Sequence, residues 1–239
     1  MASITEIQDL AMQLSLSYIA KGTVNLQNET LSNLDYLKYV FESELAERRK
    51  AAIQKKRKES RLPHKTFDTS NLNPGVKWHI EQLETLTWLH DATDLTIMGR
   101  CDSGKTSLAT HLGELALQEG MRVFYCDVDG FLNIMRNKDR IERQNRKFRY
   151  ITNCDLLIID ELMYVALSEQ DLPLFYRAIN FLREERSIIY ITNRELSEWP
   201  QVYVLQRPRQ PNGCRGCFLL SQINDNSVMC CHELGKLYN

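Results

Sequence analysis

LTIMGRCDSGKTSLATHLGELA, Leu95 to Ala116, joins an apolar run to a glycine-bearing loop and then to an amphipathic stretch. Leu95–Met98 reads as a buried strand. Lys105–Glu119 reads as a helix with Leu108, Leu112 and Leu115 on one face and Gly120 suited to its C-terminal stop. Between them, Gly99-Arg100-Cys101-Asp102-Ser103-Gly104-Lys105-Thr106 is a complete G-x-x-x-x-G-K-[ST] loop. The glycines let backbone N–H groups turn inward around phosphates, and the following helix adds the positive end of its dipole. A chance glycine-rich turn would not be expected between a strand and a helix. Gly99 to Thr106, with Ser107, are therefore the candidate nucleotide-binding residues. Lys105 is expected to reach the β- and γ-phosphates and Thr106 to ligate Mg²⁺.

Such a loop requires a second acid at the end of another apolar strand. Leu156-Leu157-Ile158-Ile159-Asp160-Glu161 supplies one. Asp160 is the candidate second Mg²⁺ residue, and Glu161 the candidate base that polarises the attacking water. An Asp-Glu pair could also merely close a strand and cap a helix, but beside a complete phosphate loop the chemical reading is favoured. Ile188–Asn193 is a further strand ending in an amide. Asn193 could hydrogen-bond the γ-phosphate or the water, although Asn-Arg after a strand is also a common turn. Asp127-Val128-Asp129-Gly130 imitates the D-x-x-G of GTPases, and Asn137-Lys138-Asp139 nearly imitates N-K-x-D. The second lacks its spacer residue and the two lie too close together, so ATP is the expected nucleotide.

Further strands are expected at Met121–Asp127, Cys154–Ile159 and Ser187–Thr192, with a helix at Asp171–Glu184 capped by Asp171. Strands alternating with helices imply an α/β fold, a parallel sheet covered on both faces. Upstream the pattern differs. Leu34, Leu37, Val40, Phe41 and Leu45 recur at helical spacing, and the pattern runs without Gly or Pro towards Pro63. This predicts one long helix whose apolar half packs on an earlier helix around Leu10–Ala20. His64–Asn73 is a polar connector, and Asn73-Pro74 a helix start. The expected organisation is a helical basic domain over 1–65, a connector and helix over 66–90, the nucleotide-binding domain over 91–203, and a tail over 204–239.

The chain has 239 residues, 30 Lys+Arg against 31 Asp+Glu, and 7 Cys. That balance hides a strongly positive segment. Arg48, Arg49, Lys50, Lys55, Lys56, Arg57, Lys58, Arg61 and Lys65 are accompanied by one acid, Glu59. A second cluster runs from Arg136 to Arg149. Basic clusters are often only solvated helix faces, but this density points to a polyanion, and double-stranded DNA is the simplest candidate for the first segment through Arg61. The composition excludes collagen, a coiled-coil rod and a wholly disordered chain. The longest apolar run, Leu162–Leu167, is too short to cross a bilayer. No secretory signal is visible at the N-terminus, so a cytoplasmic protein with reduced cysteines is expected, without a membrane partner.

GRCDSGKTSLATHLGELALQEGMRVFYCD, CDLLIIDELMYVALS and ITNRELSEW, in that order, resemble the IstB-type helper ATPases of bacterial insertion sequences. These are AAA+ proteins related to DnaC-like helicase loaders. The resemblance covers roughly Leu10 to Val202, including LPHKTFD at Leu62–Asp68. It implies a P-loop NTPase fold of the AAA+/ASCE class, ATP and Mg²⁺ as cofactors, self-association, and DNA delivered to an IstA-type transposase under ATP control. By that resemblance Gly99, Gly104, Lys105 and Thr106 form the Walker A loop, Asp160 and Glu161 Walker B, and Asn193 sensor 1. Two departures are visible. Asp102 replaces a customary glycine, and Asp is expected to tolerate the left-handed backbone. After about Val202 the chain reads VLQRPRQPNGCRGCFLLSQINDNSVMCCHELGKLYN, in which no position matches the family's arginine finger and a folded end is not expected. Cys214, Cys217, Cys230, Cys231 and His232 have tolerable metal spacing but no standard pattern, and no zinc is expected. Two other readings stay open: a loader of a replicative helicase, and a DNA protein that binds nucleotide without hydrolysing it.

Overall fold

The computed structural model describes residues 3–26, 31–70, 72–162, 167–168 and 170–193, together with the backbone of Cys217–Ser221 and Met229–Cys230. Two compact units divide between Lys55 and Lys56. In the first, α1 (Ile4–Gln13) opens with a capping box in which Ser3 and Glu6 satisfy each other's backbone N–H groups. A short α2 (Ser17–Ala20) follows, and then α3 (Asn33–Ser60), which passes from the first unit into the second.

The long helix is where expected, but its inward face is not. Val40 packs with Ala11, Ile19 and Val24, while Leu34, Leu37, Phe41 and Leu45 remain exposed, Leu34 by 80%. The inward face instead continues, one turn after Val40, to the buried carboxylate of Glu44. Its Oε2 accepts the N–H groups of Tyr18 and Ile19, both at 2.9 Å, and Arg48 Nε donates to Oε1 at 2.8 Å. Glu44 thereby caps α2, whose own N-terminus has no side-chain cap. Burial alone would raise its pKa, but the Ile19 N–H, Arg48 and the Tyr18 N–H together hold it below the ordinary glutamate range. The ion form is thus favoured by folding. The stabilisation it adds is complete above the unfolded glutamate pKa and disappears as pH falls through the lowered one. Glu44→Ala is expected to cost about 1–3 kcal/mol, because two backbone donors and Arg48 lose their acceptor. Thermal unfolding at pH 7 and pH 3 should show the difference between variant and wild type shrinking in acid.

The second unit is an open sheet. Its strands are β1 (Asp94–Met98), β2 (Val123–Asp127), β3 (Leu156–Leu162), β4 (Ser187–Thr192), β5 (Cys217–Ser221) and β6 (Met229–Cys230), in the order β2-β3-β4-β1-β5-β6. The first five are parallel and β6 is antiparallel to β5. The helices are α4 (Pro74–Glu84), α5 (Thr87–His90), α6 (Lys105–Gln118), α7 (Val128–Asn137), α8 (Glu142–Thr152) and α9 (Asp171–Leu182). Side chains of α4, α5 and α6 pack with Leu95, Ile97, Ile158 and Ile189 on one sheet face. Those of α7, α8 and α9 pack with Phe124, Leu157, Ile159 and Ile188 on the other. This is the expected P-loop NTPase architecture of the AAA+/ASCE class, with β4 inserted between the loop-bearing strand and the acid-bearing strand. In such sheets ligands bind beyond the carboxyl ends of the strands, where successive connections leave on opposite faces.

Several local expectations hold. Asn73 Oδ1 accepts the Gly75 N–H at 2.9 Å ahead of Pro74, and Pro173 falls in the first turn of α9. There, however, Asp171 is the first helical residue rather than the cap, and Ser168 Oγ accepts its N–H at 3.2 Å. Asp127 caps α7, its Oδ1 accepting the Gly130 N–H at 2.6 Å. The D-x-x-G letters are therefore a helix start, which removes the stronger of the two GTPase-like signals. The tail contributes a strand after all: the backbone of β5 pairs with β1 from Asp94↔Cys217 to Met98↔Ser221. The other residues considered for zinc spacing, Cys214, Cys231 and His232, lie outside the described residues, as do the side chains of Cys217 and Cys230.

Candidate functional site

The loop between β1 and α6 has the backbone its letters predict. Gly104 sits at φ +87, a left-handed conformation, and Asp102 takes φ +60, the conformation Asp accommodates better than most residues. At Gly99 a Cβ would stand 2.8 Å from Ser103 Oγ, so a side chain there would displace that hydroxyl. Lys105 is the first residue of α6 and is 6% exposed, and its ammonium donates to the Arg100 carbonyl at 2.5 Å. Burial lowers its pKa from the ordinary lysine range, opposed by Cys101, Asp160 and Asp102 nearby. Ser103 Oγ is buried and has no hydrogen-bond partner among the described residues. A buried hydroxyl without a partner, in the loop that ends at Lys105, suits a phosphate oxygen.

β3 brings the acids to the same place. Thr106 Oγ1 donates to Asp160 Oδ2 at 2.9 Å, and Asp160 is 6% exposed. The strand continues beyond its expected end at Ile159 to Leu162, with a register shift against β4 between Ile159 and Leu162. Glu161 occupies that irregularity at φ +58, is exposed, and donates its N–H to Asp160 Oδ1 at 2.7 Å. A bulge of this kind re-aims a side chain at a strand end, here the carboxylate assigned to the water. Because Thr192 pairs with Met98, Asn193 emerges beside Gly99, and its Nδ2 donates to Cys101 Sγ at 3.5 Å. Gly99 to Ser107, Asp160, Glu161 and Asn193 are thus one neighbourhood at the carboxyl edge of the sheet. The pairing of a hydroxyl on a buried carboxylate beside a buried ammonium fits Mg²⁺ held with a nucleotide phosphate. Tyr125, which also reaches Asp160, carries no sequence signal; only the strand register reveals it.

The first basic segment is less uniform than its letters. Arg48 is engaged with Glu44 and the Ser15 carbonyl, and Lys50 with Glu47 at 2.6 Å. Lys56 donates to the Gly120 carbonyl. Arg57 pairs with Glu114 and donates to the Leu62 carbonyl at 2.8 Å, fixing the turn after α3, where Arg61 takes φ +61. Arg49, Lys55, Lys58 and Arg61 are exposed and make no ion pair among the described residues. In the second cluster Arg136 pairs with Asp171, and Lys138 lies over the Phe148 ring at 4.2 Å.

The family model described as IstB-like ATP binding protein matches residues 5–208. The ATP-binding protein of insertion sequence IS5376 from Geobacillus stearothermophilus is 28% identical over 177 residues, 71% of this chain and 70% of its own length. That of insertion sequence IS21 from Pseudomonas aeruginosa is 23% identical over 206 residues, 83% of this chain and 78% of its own. Among solved structures, AMPPCP-bound DnaA from Aquifex aeolicus matches with a TM-score of 0.49 and 23% identity, over 59% of this chain and 46% of DnaA. The chain therefore spans about half of that protein. The DnaC helicase loader matches with a TM-score of 0.43 and 20% identity, over 62% of this chain and 82% of the loader. Among the described residues no helix is long and apolar enough to cross a membrane.

Proposed function

The chain belongs to the IstB-like ATP-binding family, and from that premise we propose that it is a Mg²⁺-dependent ATPase that holds duplex DNA and presents it to a transposase encoded with it. The observation that carries the reading is the convergence of Lys105, Thr106, Asp160, Glu161 and Asn193 on one sheet edge. Thr106 and Asp160 would hold Mg²⁺, which when bound neutralises phosphate charge and withdraws electrons from the transferred group. Lys105 supplies a cation against the β- and γ-phosphates from a buried position, where its charge is little screened. Glu161 accepts the proton of the attacking water, and the Asn193 amide orients that water or the γ-phosphate. The relatives named for insertion sequences support the transposition role. Self-association follows from the same family reading. The direct experiment measures ATP turnover by the full chain with and without duplex DNA, and ATP-dependent co-purification with a transposase of the same insertion-sequence class. Stimulation and capture are expected; neither occurring would remove the transposition reading.

The DNA contact is assigned to the exposed cations Arg49, Lys55, Lys58 and Arg61. No Phe, Trp or Tyr lies between Arg48 and Lys65 to stack on bases, so binding through phosphates remains, largely independent of sequence. Replacing those four with Ala should weaken binding to all duplexes alike. It should also flatten the log–log salt dependence by about 3–4, close to one unit for each phosphate no longer neutralised. Arg57→Ala, by contrast, should lower thermal stability by removing its bonds to Glu114 and Leu62. Equal salt slopes for the quadruple variant and wild type between about 50 and 200 mM salt would refute the assignment.

A further inference from the structure

Tyr125 stands in the middle of β2, paired with Ile158 of β3. Asp160 is two residues further along β3, hence on the same face and diagonal to Tyr125 across the ladder, a spacing that an aromatic side chain can bridge. The Tyr125 hydroxyl donates to Asp160 Oδ2 at 2.6 Å. That oxygen also receives the Thr106 hydroxyl at 2.9 Å, while Oδ1 receives the Glu161 N–H at 2.7 Å. We infer that Tyr125 is a positioning residue for nucleotide-bound Mg²⁺, fixing the rotamer of the Asp160 carboxylate that, with Thr106, would hold the metal.

Each donor has a distinct consequence. The Glu161 N–H belongs to the bulge and moves with it. The Thr106 hydroxyl has two tasks, since its proton goes to Asp160 and its oxygen to the metal. Among the described residues, Tyr125 is the donor to Asp160 that comes from outside both the phosphate loop and β3, so its bond does not depend on the position of the loop. Its ring packs among the apolar residues on the α6 face, and a phenylalanine would serve that packing equally. The hydroxyl adds a hydrogen bond to a carboxylate that is itself buried. Burial first, then the Asp160 hydrogen bond and the neighbouring acids, push the phenol well above the ordinary tyrosine range. Groups that orient a metal's carboxylate in this way commonly change metal affinity about 10–100-fold when removed.

This inference rests on the Mg·ATP reading of the site, and the experiment separates the two. Full-length wild type, Tyr125→Phe, Asp160→Asn and the double variant are titrated with Mg²⁺ at a fixed concentration of a fluorescent ATP analogue, and with the analogue alone in chelator. Tyr125→Phe is expected to raise the Mg²⁺ concentration for half-maximal enhancement about 10-fold, the lower end of that range. Its affinity in chelator should match wild type, a pattern that disturbed packing around the loop would not produce, while the thermal midpoint falls slightly with the lost bond to a buried carboxylate. In the Asp160→Asn background, adding Tyr125→Phe should leave the Mg²⁺ midpoint unchanged, because the hydroxyl acts through that carboxylate. If wild type responds to Mg²⁺ and Tyr125→Phe has the same midpoint, the role of Tyr125 is overturned while the site stands. An equal effect in both backgrounds also overturns it. If wild-type binding is indifferent to Mg²⁺, the reading of the site falls and the inference falls with it.

Discussion

Glu161→Gln is expected to lower ATP turnover by roughly 10²–10⁴-fold, the contribution of a positioned general base, while Mg·ATP affinity stays within about twofold of wild type. The substitution preserves size and hydrogen-bonding reach, so the left-handed backbone at φ +58 is kept and Asp160 retains the N–H it accepts. An amide cannot take the water's proton. Phosphate release and fluorescent-nucleotide binding, measured on one preparation, separate the two effects. Equal turnover in variant and wild type would exclude Glu161 as the base. Absence of turnover in both would favour the reading that the altered tail motivates, a protein that binds ATP without cleaving it. Arginine fingers contribute about 10³–10⁵-fold in well-studied NTPases, and no match to one stands in the tail.

The parts of this molecule that are legible in sequence are those whose cause is local. The phosphate loop needs specific residues within eight consecutive positions, and its glycine conformations follow from the letters. Strands buried on both faces are written as continuous apolar runs, as in Leu156–Ile159. What cannot be read depends on partners far away in the chain. In α3, Leu37 and Phe41 are as apolar as Val40, and the face that turns inward is chosen by Glu44, whose backbone donors lie 25 and 26 residues earlier. The bond between Tyr125 and Asp160 spans 35 residues and exists only because β2 and β3 align in one register; a shift by one would turn Tyr125 to the opposite face. α7 is hidden differently. Asp127 and Gly130 carry letters shared by a GTPase element and by a helix cap, and the Asp127 hydrogen bond decides between them. Four apparent DNA cations, Arg48, Lys50, Lys56 and Arg57, look identical to their neighbours until their intramolecular acceptors are seen.

Lys105→Ala is expected to move binding and stability in opposite directions. In the folded chain the ammonium is desolvated, which is why its pKa falls, and it stands at the first position of α6, where the helix dipole disfavours a cation. Its hydrogen bond to the Arg100 carbonyl offsets part of this cost. Alanine carries no charge into that position and has the best intrinsic helix propensity. Without nucleotide, the variant's thermal midpoint should therefore equal or exceed that of wild type. Binding behaves otherwise, because phosphate charge is what makes a buried cation favourable. Removing one partner of a buried, hydrogen-bonded charge pair costs roughly 2–5 kcal/mol, so Mg·ATP affinity should fall by about 30-fold to several thousand-fold at about 1.4 kcal/mol per factor of ten. Calorimetric titration gives the affinity, and thermal unfolding with and without ATP gives both signs in one series. At one ATP concentration the midpoint of wild type should rise more than that of the variant, since the stabilisation follows the ratio of ligand concentration to Kd. A variant that binds Mg·ATP as tightly as wild type would remove Lys105 from the site. One that loses stability and affinity together would make Lys105 a structural brace for the loop, its bond to Arg100 being the reason the glycine turn forms.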